Sequence, residues 1–387
     1  MRVGQVVSNV TFGVVALSAC LATGTVQAQV TFPPSSSAPS SSSSSHRIDQ
    51  IAVESVVGAL RDDTDSRIRS IVHEYQTCVR GTGTRWCVRQ PGTGRVNAFS
   101  GEADADVYGP FEALGYAKSG MVTKAPPRAM PASPSYFYSV WGMGSVDHEE
   151  RDGPFIGIRT TTYTGIGGAD LLRIGINSSS DALLFGILGS GSRTHVNTVF
   201  GDTTRATTPA GGLYAAYING GFSTDVSFIA SFTRANGTEG GAAFTRDTDS
   251  YTTSANVQYK YDVTPNWWFE PTVGASYTQS DLNVIGFEDG HTTRLQGGAR
   301  FGTEWTHGTV KVQPTLTGIA YSDVILVAPH PPGAAVPGIE EGKLFGKGSL
   351  KINFVWTDKF STFVEGEVRG SDDIFGVAGR FSARYTF

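Results

Sequence analysis

The C-terminal segment Ile374–Phe387 alternates between two kinds of side chain. One set is apolar or small and ends on an aromatic residue: Phe375, Val377, Gly379, Phe381, Ala383, Tyr385 and Phe387. The other set carries Arg380 and Arg384. Because successive side chains of a strand point to opposite faces, one face is apolar and the other is charged. After a secretory leader, such a terminal strand favours the closing strand of an outer-membrane β-barrel over a strand of a soluble sandwich.

The composition agrees with a barrel and excludes two other classes. Charged residues make up 17 % of the chain, against about 25 % in typical soluble domains. No window after the leader holds about 20 consecutive apolar residues, which excludes a helical membrane protein. Barrels keep a moderate apolar content, here 39 %, because half of each strand faces a wet lumen. The net charge of −5 gives no basic surface, so we predict no nucleic-acid partner.

Residues 1–28 are predicted to be a signal peptide. Arg2 supplies a positive start, Phe12–Ala22 is apolar, and small residues up to Ala28 favour cleavage before Gln29. An alternative stays open, because Leu17-Ser18-Ala19-Cys20 resembles a bacterial lipobox, in which Cys20 would be lipidated and become the first residue.

The next part of the chain predicts a linker and a small helical region. Residues 29–45 are rich in Ser and Pro and predict a disordered linker. Within 46–105, apolar residues spaced by three and four between Ile48 and Val79 predict one amphipathic helix or two short ones. The run Asp62-Asp63-Thr64-Asp65 marks a candidate break. We favour a helical hairpin, and the alternative is a helix that threads a pore or pairs with a partner.

Two cysteines follow this helical pattern. Cys78 and Cys87 lie nine positions apart on either side of a Gly- and Thr-rich stretch. Because an exported chain meets an oxidising compartment, we favour a disulfide between them that staples the helical region, and the alternative is a pair of reduced thiols. Residues 106–135 are rich in Gly and Pro and predict an irregular segment that threads the lumen or connects to the barrel.

From residue 136 onward the sequence changes to the period of two that is typical of strands. We therefore predict an all-β domain over 136–387, a twelve-stranded antiparallel transmembrane β-barrel. The predicted strands are 137–147, 155–175, 182–196, 206–219, 221–234, 250–262, 266–279, 292–305, 308–322, 344–356, 359–369 and 374–387. Those between 155 and 219 alternate less cleanly than the others.

The lengths of the connections carry a second signal. Connections after even-numbered strands are short, as at Asn219-Gly220, whereas most of those after odd-numbered strands are longer, as at Asn197–Arg205 and Ala235–Asp249. Outer-membrane barrels have short periplasmic turns and longer outer loops. The parity therefore predicts that both ends of the barrel domain lie in the periplasm.

Charged residues of the predicted strands share the face opposite the apolar residues. Because a Lys or Arg that faces lipid at mid-membrane costs about 2–4 kcal/mol, these charges are predicted to point into the lumen. The lumen-lining candidates are Asp225, Glu270, Arg294, Arg300, Glu304, Lys311, Lys347, Lys351, Glu365, Glu367, Arg380 and Arg384. They could line a conduit or grip a plug segment; the alternative is a solvated inner wall that balances its own charge, with cross-strand pairs.

Aromatic residues collect at strand ends. Trp267, Trp268, Trp305, Trp356 and Phe387 all fall at predicted periplasmic ends. Such side chains favour the headgroup level of a membrane, so they predict one aromatic girdle.

Several short motifs add a resemblance to a known family. They are Val140-Trp141-Gly142, Trp268-Phe269-Glu270-Pro271, Gly274-Ala275-Ser276-Tyr277-Thr278, Arg300-Phe301-Gly302 and Arg384-Tyr385-Thr386-Phe387. With these motifs and twelve strands, residues 136–387 resemble the β-domain of classical (type V) autotransporters. The resemblance implies a barrel in the outer membrane whose lumen is crossed by the preceding segment. It also implies insertion by the outer-membrane barrel assembly machinery, with Phe381, Tyr385 and Phe387 as the assembly signal.

Two functions are consistent with this sequence. In the first, the barrel translocates or displays residues 29–105, a short stretch without repeats or an enzyme motif. In the second, the chain is a stand-alone outer-membrane pore or structural envelope protein with a plugged or narrow lumen. The predicted partners are outer-membrane lipid, the assembly machinery and the chain's own N-terminal segment in the lumen.

Catalysis is not predicted. His148, His195, His291 and His330 fall in or near predicted outer loops, and two of them have acidic neighbours. Histidines beside acids are common by chance in loops, and the chain has neither Gly-x-Ser-x-Gly around a nucleophile nor His-Glu-x-x-His. We therefore predict no enzyme activity, no metal and no cofactor.

Overall fold

The computed structural model describes residues 42–79, 135–152, 157–176, 181–199, 201–239, 241–264, 266–283, 288–327, 329 and 342–387. These residues form one helix, α1 (Ser42–Val79), and fourteen strands. The strands are β1 (Ser135–Asp152), β2 (Gly157–Ile174), β3 (Asp181–Thr198), β4 (Thr203–Asn219), β5 (Phe222–Glu239), β6 (Ala242–Tyr259), β7 (Tyr261–Asp262), β8 (Trp267–Leu282), β9 (Gly290–Thr303), β10 (Trp305–His307), β11 (Val310–Val327), β12 (Leu344–Val355), β13 (Phe360–Gly370) and β14 (Ile374–Thr386). Among the described residues, no helix combines the length and the apolar character needed to cross a bilayer.

The strands form one antiparallel sheet that closes on itself. β1 pairs with β14 from Ser139↔Thr386 to Arg151↔Ile374, and so joins the first strand to the last. β7 and β10 are short continuations of β6 and β9, so the fourteen strands of the described residues make twelve passes around the barrel. The predicted fold, a twelve-stranded antiparallel β-barrel, is confirmed.

The two ends of the barrel differ in what they carry. At one end, which we call the turn end, β1 begins, β14 ends, and Gly220-Gly221 joins β4 to β5. Gly220 has φ +58°, a conformation that a side chain disfavours and that suits a two-residue hairpin. At the opposite end, the loop end, lie the connections that follow β1, β3, β5, β8, β11 and β13.

The strands extend further at the loop end than the sequence predicts. The predicted loop Ala235–Asp249 is wrong, because β5 and β6 stay paired as far as Glu239↔Ala242. The predicted loop Asn197–Arg205 is also too long, since β3 continues to Thr198 and β4 begins at Thr203. Beyond the apolar band both faces of a strand can be polar. The alternation that marks a strand then disappears, although the backbone hydrogen bonds continue.

Apolar side chains cover the outer face of the barrel. Among the described residues, large exposed apolar side chains include Phe185, Ile187, Leu213, Val273, Leu316, Leu350 and Phe381. The predicted girdle needs one correction. Trp267, Trp305, Trp356 and Phe387 are exposed near the turn end, but Trp268 is only 2 % exposed and faces the lumen. Trp267 and Trp268 are consecutive in a strand and therefore point to opposite faces.

Helix α1 is continuous through Asp62, Asp63 and Asp65, so the predicted hairpin with a break at this run is wrong. The helix begins at Ser42, inside the predicted disordered linker 29–45, and the boundary of that linker therefore lies too late. The side chain of Cys78, together with Cys87, lies outside the described residues, and so does the predicted irregular segment up to residue 134. The disulfide stays a prediction.

Candidate functional site: the helix-filled lumen

Helix α1 lies inside the barrel with its N-terminal half toward the loop end. There Ile51 and Ala52 pack against inward side chains of β2 to β5: Ile158, Val196, Ala206 and Ala235. Near the turn end, the Tyr75 hydroxyl donates to the backbone carbonyl of Asp181 at 3.3 Å. Nine residues of α1 precede Ile51, and at about 1.5 Å per residue they carry the helix about 13 Å further toward the loop end.

One face of α1 packs against an apolar part of the inner surface, which we call the apolar wall. The wall consists of inward side chains of β1 to β4: Trp141, Met143, Ile166, Leu172, Ala182, Leu184, Leu188, Tyr214, Ala216 and Ile218. The helix contributes Val56, Leu60, Ile68, Ile71, Val72 and Tyr75. Removing these side chains from water holds the helix against the wall. It also explains why the strands between 155 and 219 alternate less cleanly, since both of their faces are partly apolar.

Two glycines let large rings lie flat in the apolar wall. A Cβ at Gly168 would overlap the Trp141 ring, and a Cβ at Gly186 would overlap the Tyr214 ring. Trp141 Nε1 donates to the Tyr214 hydroxyl at 3.0 Å, and that hydroxyl donates to Asp170 Oδ2 at 3.3 Å. The rings therefore keep their polar atoms paired inside an apolar surface.

The opposite face of α1 meets what we call the charged wall. It consists of inward side chains of β8 to β14 and of Glu304, between β9 and β10: Glu270, Arg294, Arg300, Glu304, Lys311, Lys347, Lys351, Glu365, Glu367, Arg369, Arg380 and Arg384. Asp63 of α1 accepts hydrogen bonds from Arg380 Nε at 2.6 Å and from Ser145 Oγ at 2.5 Å. Arg380 also donates to Glu367 at 2.8 Å. A single helix carboxylate thus contacts both β1 and β14.

One turn further along α1, a lysine of the charged wall bonds the helix again. Lys351 Nζ lies 2.7 Å from Ser66 Oγ, 3.1 Å from Ser70 Oγ and 3.3 Å from Glu365. Ser66 Oγ donates to the same Glu365 carboxylate at 2.5 Å. Because a buried charge is costly unless it is paired, this arrangement satisfies the lysine and the glutamate together.

A third set of contacts fixes the end of α1 at the turn end. Glu74 accepts hydrogen bonds from Arg384 Nη1 at 3.0 Å and from Ser361 Oγ at 3.1 Å. Arg384 also pairs with Asp170 at 3.1 Å. Gln76 Nε2 donates to the backbone carbonyl of Gly221 at 3.0 Å, in the turn between β4 and β5.

Other charges of the wall pair with one another. Arg300 donates to Glu270 in a buried pair, and Arg294 forms two bonds of 2.6 and 2.8 Å with Asp323. Near the turn end, Glu304 lies 2.5 Å from Lys311 and 3.7 Å from Lys260, and the His73 ring of α1 contacts the Trp268 ring at a tilt of 40°, with 4.5 Å between the ring centroids. The wall therefore balances much of its own charge before α1 is counted.

Two cavities beside α1 in the described part of the barrel lie on the side of the charged wall. The larger, about 150 Å³, lies near the loop end, where Val57, Arg61, Arg294 and Tyr321 line it. The smaller, about 50 Å³, lies deeper, and Ser66, His73 and Lys351 are among the residues that line it. Both cavities touch Asp62, whose carboxylate lies 3.1 Å from Lys347.

Comparison with known proteins decides the family. The family model of the autotransporter beta-domain matches residues 140–367, more than half of the chain. The chain belongs to the autotransporter β-domain family. Its fold is similar to the beta domain of the Bordetella autotransporter BrkA, with a TM-score of 0.51 and 15 % identity over 64 % of this chain and 98 % of that one. The family is one of outer-membrane barrels with structural and transport roles.

Two other autotransporter barrels are less similar. The transport unit of AIDA-I from Escherichia coli gives a TM-score of 0.49 at 12 % identity, over 69 % of this chain and 94 % of that one. The translocator domain of NalP from Neisseria meningitidis gives 0.47 at 11 % identity, over 65 % and 88 %. No curated protein matches the chain.

In this autotransporter barrel, the structure places every lumen-lining candidate named above on the inward side, including Asp225, which accepts from Asn256 at 2.8 Å. It brings Glu365, Glu367 and Arg380 together as cross-strand pairs. Phe381, Tyr385 and Phe387 are exposed on the outer face, where their role as an assembly signal stays a prediction.

Sequence reasoning missed the helix side of the site. Asp63, Ser66 and Glu74 contact the charged wall, and Arg369 of the wall pairs with Asp147 at 2.5 Å. A signal was present, because Asp62, Ser66 and Ser70 recur at a spacing of four and mark a polar helix face.

The loop histidines do not form a site in the described part of the chain. His148 Nδ1 lies 3.0 Å from Thr161 Oγ1, and the His291 ring stacks on Tyr277 at 6.3 Å. His330 lies outside the described residues. Among those described, no three His, Cys, Asp or Glu side chains are grouped closely enough to hold a metal ion.

Proposed function

We propose that this autotransporter barrel holds α1 in its lumen in order to present the chain that precedes Ser42 on the cell surface. The observation that carries the proposal is the direction of α1. Its N-terminal half contacts the loop end, and Tyr75 and Gln76 bond to the turns at the opposite end. In outer-membrane barrels the short turns face the periplasm, so the N-terminal end of α1 points outward.

The same geometry shortens the segment proposed for display. The chain leaves α1 at Val79, near the turn end, and it enters β1 at Ser135, also at the turn end. The lumen itself is filled by α1, so the chain between these two points does not need to pass through it. We therefore propose display of residues 29–41 only, with residues 80–134 held on the periplasmic side. The proposed role is structural and transport-related, with no catalytic step.

Cysteine labelling on intact cells tests this arrangement. In a background where Cys78 and Cys87 are replaced by Ser, Ser37→Cys samples the N-terminal segment and Ser100→Cys samples the segment before β1. A membrane-impermeant maleimide should label Ser37→Cys on intact cells. It should label Ser100→Cys only after the outer membrane is opened. Protection of Ser37→Cys on intact cells would refute surface display, and labelling of Ser100→Cys at the same rate would refute the periplasmic assignment.

The second candidate, a structural barrel with a narrow lumen, is favoured by how completely α1 occupies the interior. Most residues of α1 between Ile51 and Gln76 are buried, and the cavities of about 150 and 50 Å³ described above are small beside the helix. Planar-bilayer recordings should show a far smaller conductance for the full chain than for a variant that lacks residues 42–79. Equal conductance in the two would argue against a lumen closed by α1.

A further inference from the structure

We propose that Arg380 and Arg384 of β14 are positioning residues that set the axial position of α1, and with it the length of chain that emerges at the loop end. The inference rests on the proposed function, because it concerns where the threaded helix stops. Both arginines are buried, with 3 % and 4 % of their surface exposed. Each pairs with one carboxylate of α1, Arg380 with Asp63 and Arg384 with Glu74.

The two arginines on β14 and the two carboxylates on α1 are separated by similar distances. Arg380 and Arg384 are four residues apart on one face of β14, which separates them by about 13 Å along the strand. Asp63 and Glu74 are eleven residues apart on α1, which separates them by about 16 Å along the helix axis. Both pairs can therefore form at the same time in the observed position of the helix, as the bonds of 2.6 and 3.0 Å show.

No displacement of α1 by one turn restores either pair. Sliding the helix by three or four residues in either direction brings Ala59, Leu60, Ser66 or Arg67 to the place of Asp63. The same shifts bring Ser70, Ile71, Thr77 or Cys78 to the place of Glu74. None of these residues is a carboxylate. The shift that moves Arg67 opposite Arg380 also sets two buried cations against each other.

The apolar wall does not discriminate between positions in this way. Apolar contact is non-directional, and a helix with apolar residues at several turns can shift by one turn while keeping part of its buried area. Directional pairing to fixed guanidinium groups supplies the discrimination that the apolar wall lacks. The apolar wall therefore stabilises α1 in the lumen, and the charged wall determines its axial position.

Pulsed electron–electron double resonance, which measures the distance between two spin labels, tests the inference on the purified full chain in detergent. Spin labels at Ser44→Cys and Lys359→Cys report the distance from the outer part of α1 to the turn end. Cys87 is replaced by Ser, and Cys78 is replaced by Ser except in the fourfold variant below, where it is replaced by Glu. The unchanged helix should give one narrow distance. The variant Asp63→Asn with Glu74→Gln should broaden it, because both arginines lose their carboxylate partners on α1.

A second variant moves the carboxylates instead of removing them. Adding Arg67→Asp and Cys78→Glu to Asp63→Asn and Glu74→Gln places both carboxylates four residues later on the helix. We expect α1 to move toward the loop end, so that the distance lengthens by about 6 Å, four residues at 1.5 Å each. An unchanged distance would overturn the inference. The matched control, Asp247→Arg, disturbs an exposed pair with Arg234 and should leave the distance as it was.

Folding is checked by the heat-modifiable migration of the barrel on gels. Should the fourfold variant not fold, the double variant Asp63→Asn with Glu74→Gln decides the question, since a narrow and unchanged distance in that variant also overturns the inference. The measurement is independent of cell-surface labelling. Failure of the positioning role and failure of surface display are therefore distinguishable.

Discussion

The two walls of the lumen present opposite solutions to holding one helix. The apolar wall, on β1 to β4, offers buried rings and aliphatic side chains, among which Tyr214, Leu184 and Ile218 are almost fully buried. The charged wall, on β8 to β14, offers arginines and lysines that pair with acids of the barrel and of α1. Helix α1 matches both, with apolar residues on one face and Asp62, Asp63, Ser66 and Glu74 on the other.

The two walls should differ in how strongly a substitution lowers the stability of the barrel. Losing an apolar contact removes a share of buried area and leaves a cavity, so the loss is graded. Losing one partner of a buried ion pair leaves the other charge desolvated and unpaired, so the loss is abrupt. We therefore expect substitutions in the charged wall to have the larger effects, although the apolar wall covers more of the helix.

The largest effect is expected for Arg380→Ala. It leaves Asp63 and Glu367 without their shared cation in a buried site, and such losses cost about 3–5 kcal/mol. Urea unfolding of the purified barrel in detergent, followed by tryptophan fluorescence, measures the change. The control Arg205→Ala removes an exposed arginine of β4 and should change the stability little. Equal losses in the two variants would contradict the role of the buried pair.

A smaller effect is expected in the apolar wall. Leu184→Ala removes a side chain with no exposed surface that packs in the cluster around α1, and such truncations cost about 2–5 kcal/mol. The same unfolding measurement applies. Leu213→Ala, on the outer face, is the matched comparison and should cost less, because Leu213 is 57 % exposed. If both truncations had the same cost, packing against α1 would not be the source of the stability.

Adding a methyl group at Gly186 tests whether the Tyr214 ring needs the space that this glycine leaves. Gly186→Ala places a Cβ where the Tyr214 ring lies, and overpacking of this kind costs about 1–3 kcal/mol. Gly189→Ala, three residues away and with open space around the new methyl group, should be close to neutral. The pair of variants is compared by the same urea midpoints. A neutral Gly186→Ala would mean that the ring can move without loss.

The smallest effect is expected outside the lumen. Asp247→Asn breaks the exposed pair with Arg234, whose two bonds measure 2.7 and 3.0 Å. Exposed ion pairs are screened by water and salt, so we expect no measurable change in the unfolding midpoint at physiological ionic strength. A shift comparable to that of Arg380→Ala would remove the distinction between buried and exposed charges.

The sequence predicted the barrel well because lipid imposes a strict pattern on it. Alternation in β12 and β14 places Lys347, Lys351, Arg380 and Arg384 inward, and the structure has them there. The alternation weakens in strand segments whose outer face does not meet lipid, and in those whose inner face packs against α1 instead of water. The hairpin of β5 and β6 beyond Ala235 has no apolar face to mark it, and the sequence pattern therefore predicts a loop there.

The helix side of the site was harder to predict for a different reason. From the sequence, Asp62, Asp63 and Asp65 mark a candidate break in the helical region, and acidic residues are rarely buried without partners. Inside a lumen lined by Arg380 and Lys347 the same run is the binding face. A local sequence pattern does not determine which environment a helix face will meet. That environment depends on distant strands, since Lys347 lies 285 residues after Asp62 and Arg380 lies 317 residues after Asp63.

Asp63 bonds to Ser145 of β1 and to Arg380 of β14, the two strands whose pairing completes the cylinder. Occupation of the pore and closure of the wall are therefore linked equilibria. Binding of α1 in the lumen favours the pairing of β1 with β14, and that pairing favours binding of α1 by the same factor. We therefore expect that removal of the helix weakens the pairing of β1 with β14, and that opening of this seam loosens the helix.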